Sequence, residues 1–325
     1  MARTQTQKPQ SQHKPQDPTS LLEAVRYFSD PDVALDFVRR FRWEDGEPYC
    51  PHCGCYELSF LTTRRIWKCR NPQCRRQFSA KVGTIFEDSP LGWDKWLPAM
   101  WLLANSKNSV SSHELARALR VTQKTAWFMF HRIRDAMATG TFDKLDGEVE
   151  ADETYVGGKL GNMHRRVREA KGYGKGAGMA SDKTAVAGLV ERGGRVRAFP
   201  VASTDYVTME DNVIRNVAIG ADLFTDQASH YQRLDQFYAH KTVDHGREYV
   251  RGIAHINTME NFWSLLKRAL KGTQVHVAPK HLHRYVTERT FAYNYRDRTD
   301  NARMRFALSG AAGKRLTYAQ LTGKN

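Results

Sequence analysis

The chain has 325 residues, enough for about two domains with cores of their own. Fifty Lys and Arg oppose 35 Asp and Glu, a net charge of +15 that favours a polyanionic partner such as DNA or RNA. No stretch approaches the ~20 apolar residues that cross a bilayer and the polar N-terminus excludes a secretory signal, so a cytoplasmic protein is expected.

Residues 1–18, rich in Gln, Lys, Pro and Ser, read as a disordered tail. A short helical lead-in over 19–46 follows. Thr19 or Ser20 can cap a helix through Leu21, Leu22, Val25 and Phe28, and Pro31 opens a second one.

All five cysteines lie between Cys50 and Cys74, within a segment, 47–83, that reads as a zinc ribbon. Cys50-Pro-His-Cys53 and Cys69-Arg-Asn-Pro-Gln-Cys74 form two knuckles 15 residues apart, each with turn residues between or beside its thiols. Two pairs of thiolates on short turns supply the tetrahedron that structural Zn2+ requires. A redox pair is the rival reading, but it has no use for the second knuckle. Cys55 is spare and His52 is an alternative ligand. Leu58–Leu61 and Ile66–Cys69 can pair as strands.

Residues 84–140 read as helices ending in a helix-turn-helix-like pair, Ser112–Leu119 and Thr122–Met137. Lys124, His131, Arg132 and Arg134 on the second helix are the expected DNA contacts; a plain helical hairpin is the alternative.

From 146 to 298 the pattern turns to α/β. Glu148–Asp152 reads as a strand ending at Asp152. A basic Gly-rich loop then carries Lys159, Arg165, Arg166, Arg168, Lys171 and Lys175. Strands Thr184–Glu191 and Val196–Val201 flank Gly193-Gly194, a hairpin signal. A helix, a strand ending at Asp226, a short helix, a strand near Lys241–Val243 and a long helix over Thr258–Leu270 follow. That order is the one an RNase H-like mixed sheet with flanking helices requires. Residues 299–325 read as a C-terminal tail.

Asp152, Asp226 and Glu260 stand out together. Carboxylates at two strand ends and on a late helix can hold a pair of Mg2+ ions for phosphodiester transfer. On the late helix Asn257, Glu260, Ser264 and Lys267 form one polar stripe, while Met259, Phe262, Trp263, Leu266 and Leu270 form an apolar one. A surface Glu–Lys pair is the bland alternative.

The segments EADETYVGGK (Glu150–Lys159), LFTDQASHY (Leu223–Tyr231), HINTMENFWSLLKRALKG (His255–Gly272) and HLHRYVTERTFAYNYR (His281–Arg296) resemble Asp–Asp–Glu transposases of bacterial insertion sequences. The nearest branch is the one numbered fifteen ninety-five, which carries an N-terminal zinc ribbon. The likeness runs from about Asp30 to Arg298. It implies an RNase H-like core using Mg2+ or Mn2+, and cut-and-join chemistry on terminal inverted repeats and target DNA. The family's two Asp positions fall on Asp152 and Asp226. Its third accepts Asn, His or Glu, and this chain offers Asn257 and Glu260. A carboxylate is the better ligand, and 33 residues between Asp226 and Glu260 suit the late helix. Lys267 matches the basic residue that follows the triad, and His255 is a further candidate beside it. Lys267, Arg268, Lys271 and Arg284 would meet phosphates together with Arg165 and Arg166. Holding two element ends implies at least a dimer on DNA, in the nucleoid.

Overall fold

The computed structural model describes residues 16–43, 46–138, 143–158, 164–170, 183–243 and 255–323. The tail expected over 1–18 falls, up to residue 15, outside the described residues, as do Lys159, Lys171 and Lys175 of the basic loop.

Helix α1 (Leu21–Ser29) begins where the Ser20 hydroxyl accepts from the Glu23 N–H. Helix α2 (Pro31–Arg42) begins where Asp30 accepts from Asp32 and Val33, with proline in its first turn. The ribbon pairs β1 (Leu58–Leu61) with β2 (Ile66–Cys69) as expected and adds a two-residue strand, β3 (Gln77–Phe78). Three helices come next: α3 (Trp93–Asn105), α4 (Ser112–Leu119) and α5 (Gln123–Met137). A capping box of Ser111 and Glu114 starts α4, Arg120 ends it in a left-handed conformation, and Thr122 caps α5. The helical pair is thus sharply turned, as the short Arg120-Val121 link predicts.

The second half contains β4 (Glu148–Val156), the short α6 (Arg165–Ala170), β5 (Thr184–Glu191), β6 (Val196–Val201) and α7 (Tyr206–Asn216). After these come β7 (Asp222–Asp226), β8 (Ala239–Val243), α8 (Asn257–Ala269) and α9 (Leu282–Asn294). Two 3-10 turns, Ser229–Tyr231 and Leu234–Gln236, stand where the short helix was expected. The sheet order is β6-β5-β4-β7-β8, with β5 antiparallel to its neighbours and β4, β7 and β8 parallel. This is the RNase H-like arrangement. Val149, Ala151, Ala187 and Leu189 pack on α7 from one face of the sheet. Val186, Val190 and Val196 pack on α8 and α9 from the other, against Met259, Trp263, Leu266 and Val286. The period of two along each strand therefore sorts its side chains between two helical layers.

The C-terminal segment is not a tail. Helix α10 (Asp300–Ser309) buries Met304, Ala307 and Leu308 in the same core as α1, α2, α3 and α5, and α11 (Tyr318–Thr322) follows it. The apolar residues of 299–325 lack an obvious stripe, because α10 is packed on several sides at once.

Candidate active site and zinc centre

The four expected zinc ligands meet. Cys50 Sγ lies 3.8 Å from Cys74 Sγ, Cys53 Sγ 3.6 Å from Cys69 Sγ, and all four sulfurs fall within 4.8 Å of one another. Disulfide sulfurs would stand ~2.05 Å apart. Sulfurs at the corners of a zinc tetrahedron with ~2.3 Å bonds stand ~3.8 Å apart, which is the spacing found. Burial, followed by the neighbouring thiols, pushes the Cys69 thiol up to about 12, so gathering thiolates here calls for a cation. Cys55 faces the Glu57 backbone instead, and His52 Nδ1 lies 3.3 Å from Arg76. Neither belongs to the cluster.

Asp152 does not end its strand. Thr154-Tyr155-Val156 continue β4, paired with β5 as far as Val156 and Thr184. Against β7, however, the ladder stops at Glu150 and Phe224, and β7 itself ends at Asp226. Asp226 thus leaves β7 two residues beyond the last rung that joins it to the strand of Asp152. The charges feel each other. Burial first, then the charge of Glu153 and, more weakly, that of Asp226, raise the Asp152 carboxyl to about 7.

Helix α8 covers Asp152. The Trp263 indole N–H donates to Asp152 Oδ2 at 2.9 Å. Ile256, at the start of α8, packs with Phe224 of β7 and Val243 of β8. Glu260 lies in the first turn of α8 with its side chain exposed. Asn257 is exposed one turn earlier on the same stripe, and Lys267 is exposed two turns later. The helix stripes read from the sequence are both present.

Three features of the site escaped the sequence reading. The first is Glu150, fully buried two residues before Asp152 on the same face. It accepts from the Met259 N–H at 2.9 Å, the Thr258 hydroxyl at 3.0 Å and Arg192 Nε at 2.9 Å. His255 Nδ1 stands 3.2 Å from the same carboxylate, so His255 belongs to this anchor. A carboxylate at the start of a helix also meets the positive end of its dipole, which fixes α8 over β4. The second is Gly188, directly opposite Asp152 in the ladder. A Cβ there would lie 2.6 Å from Trp263 Cη2 and would collide with Met259 as well. An isolated glycine inside the apolar strand TAVAGLVE was the available signal for such a close approach. The third is Glu153 on the opposite face, which accepts from the Tyr231 hydroxyl at 3.0 Å with His230 at 3.2 Å.

The family model of the ISXO2-like transposase domain matches residues 144–294, and that of the transposase zinc-ribbon domain matches residues 29–77. The chain thus carries a transposase zinc ribbon followed by an ISXO2-like transposase domain. An uncharacterized protein in transposable element ISH50 of Halobacterium salinarum is 28% identical over 257 residues, 76% of this chain and 85% of the relative. The transposase's ribbon thus carries the four-thiolate set of a structural zinc site.

The expected DNA contacts of this transposase divide in two. Lys124, Arg165, Arg166, Lys267, Arg268 and Lys271 are exposed. Arg132 and Arg134 are not: they are 4% and 1% exposed, and His131 is fully buried. Arg134 Nε donates to Glu288 at 2.6 Å and its guanidinium lies 3.9 Å from the Tyr285 ring centre. Arg132 donates to the Glu87 carbonyl and sits over Trp96 and Phe128. Arg284 is committed to Asp135 at 2.7 Å. Beyond its first two turns α5 is enclosed by α3, α9 and α10, so these arginines bind protein and are withdrawn as phosphate contacts. Among the described residues no helix is long and apolar enough to cross a membrane.

Proposed function

We propose that this transposase cuts DNA at the terminal inverted repeats of an insertion sequence and joins the freed ends to target DNA. Asp152, Asp226 and Glu260 are the reacting-site carboxylates of this reading. What carries it is the raised Asp152 carboxyl between Glu153 and Asp226, held by Trp263. Oxygen donors crowded against their own repulsion are the set that hard divalent cations take, so the residues fit Mg2+ or Mn2+. A bound pair of such ions supplies the charge that activates an attacking oxygen and stabilises a leaving one.

The protein's own part is placement. Trp263 fixes the rotamer of Asp152, Glu150 fixes α8, and α8 brings Glu260 with it, while Asn257 is the alternative third ligand. Lys267 and Arg268 further along α8 and Lys271 in the turn after it meet the strand's phosphates, and Arg165, Arg166 and Lys124 extend the basic surface, so affinity falls with salt. Cleaving both ends of one element calls for two copies on DNA.

The test incubates the protein and Mg2+ with a labelled terminal repeat and a target duplex. Nicked and joined products are expected, and nicks with no joined product would reduce the activity to a nuclease. Asp152→Ala is expected to abolish both while leaving repeat binding intact; cleavage by that variant would remove Asp152 from the mechanism.

A further inference from the structure

The strand and helix that carry Asp152 and Glu260 run on into a cavity of about 620 Å³, ringed by Lys183, Lys267, Lys271 and His276. Val156, Leu270, Val277 and Leu282 supply an apolar floor, and none of the described lining residues is acidic. Val156 lies four residues past Asp152 on the same face of β4, so the floor begins ~13 Å from that carboxylate. Lys267 lies seven residues past Glu260, or ~10 Å along the helix axis. Both measures put the cavity roughly two to four nucleotides along a DNA strand from the carboxylates.

The mouth of the cavity is strained. After α8 the chain makes one π turn, Leu270–Gln274, and Val275 follows at φ 61°, 83% exposed. A β-branched residue is a steric misfit at positive φ and persists there only if the surroundings impose it. Here they do. The Thr273 hydroxyl donates to the Asn108 carbonyl at 2.8 Å, and Gln274 Nε2 donates to Ser109 Oγ at 2.8 Å and to the Val110 carbonyl at 3.2 Å. The loop before α4 thereby pins the turn and holds an apolar side chain out at the rim of a basic cavity.

From this geometry we infer that the cavity receives an unpaired nucleotide of the DNA strand, a few positions from the cleaved bond. Its base lies on the apolar floor and its phosphate meets the lysines. Val275 stands as a wedge between that base and its stacked neighbour, the use to which apolar side chains are put where duplexes are opened. A single nucleotide fits the volume. The inference rests on the transposase reading and adds the form in which the DNA strand is held.

Anisotropy titrations without Mg2+ test it, using a blunt duplex of the terminal repeat and the same duplex with a four-thymidine 3′ extension. The wild-type protein is expected to bind the extended probe about tenfold more tightly, the worth of one stacked base. Val275→Gly is expected to bring the two affinities within about twofold while the blunt-duplex affinity stays unchanged, and it folds because glycine accepts positive φ; Lys183→Gln is expected to weaken the extended probe several-fold more than the blunt one. Equal wild-type affinities for the two probes would overturn the inference alone, as would a preference that survives both substitutions. Failure of the wild type to bind either probe would overturn the transposase reading with it.

Discussion

The indole of Trp263 occupies the space that a side chain on Gly188 would fill, and from there it reaches Asp152 on the neighbouring strand. Gly188→Ala must push the ring and Met259 outward, an overpacking cost of about 1–3 kcal/mol. Strand cleavage is expected to fall with it, since ~1 Å of misplacement costs about a hundredfold. Trp263→Phe removes the hydrogen bond while keeping most of the packing. Cleavage assays and thermal melts on both variants check this; wild-type cleavage by Gly188→Ala would show that the indole does not orient Asp152.

Glu150 supports the same helix from its start. Glu150→Ala leaves Arg192 without its buried carboxylate and the Met259 N–H in the first turn of α8 without its acceptor, a loss of about 3–5 kcal/mol. Glu150→Gln keeps an acceptor and is expected to fold. Its signature is a raised Mg2+ requirement for cleavage at unchanged affinity for DNA, because α8 carries Glu260. A glutamine variant with normal Mg2+ dependence would reduce Glu150 to a stabilising role.

Removing zinc is expected to unfold the ribbon. Trp67 of β2 packs on Trp43, Phe60 and Phe78, so its fluorescence reports the change directly. One zinc per chain is expected by elemental analysis, and Cys69→Ser should lower that content. Retention of full zinc and an unchanged spectrum in Cys69→Ser would exclude the four-thiolate site.

The Arg134–Glu288 pair ties α5 to α9 with both side chains out of water, at 1% and 3% exposure. Glu288→Ala strands a buried guanidinium and is expected to cost about 3–5 kcal/mol. The double variant Arg134→Met, Glu288→Leu removes both charges and is expected to recover most of that. Denaturant titrations decide; equal losses for single and double variants would mean that the pair's charges matter less than its packing.

His131 is buried between Trp127, His281 and Tyr285, and burial, with the charge of Arg134 next, lowers it from 6.5 to about 2. Below pH 6.5 the unfolded chain takes up a proton that the folded chain refuses, so stability falls as pH falls. The slope is up to about 1.4 kcal/mol per pH unit from this residue alone. Burial lowers His281 to about 4 and adds to the effect in the same direction. Melting temperatures measured from pH 7.5 down to pH 5 test this, at ~1.4 kcal/mol per unit for each neutral histidine. His131→Phe is expected to flatten the acid limb; parallel losses in both proteins would assign the limb elsewhere.

The strands Thr184–Glu191 and Val196–Val201 were legible to the residue because alternation and a Gly-Gly turn bound them on both sides. The stripes of α8 were legible for the same reason, a period of 3.6 on a helix with one wet face. The errors share a cause. Arg132 and Arg134 read as surface because a helix in isolation offers no sign of what meets its polar side. The residue that neutralises Arg134 lies 154 positions away. Nothing local around Glu150 reveals that its acceptor atoms are taken by Thr258 and Met259 across the fold. Gly188 was different: its signal was present in the strand and went unused.

Helix α10 completes the core that α1, α2 and α3 begin, so the N-terminal helices cannot close that core until α10 has been synthesised. A ribosome stalled after the catalytic segment therefore releases a protein whose front end lacks a wall. Variants truncated before Asp300 are therefore expected to expose that core and to aggregate.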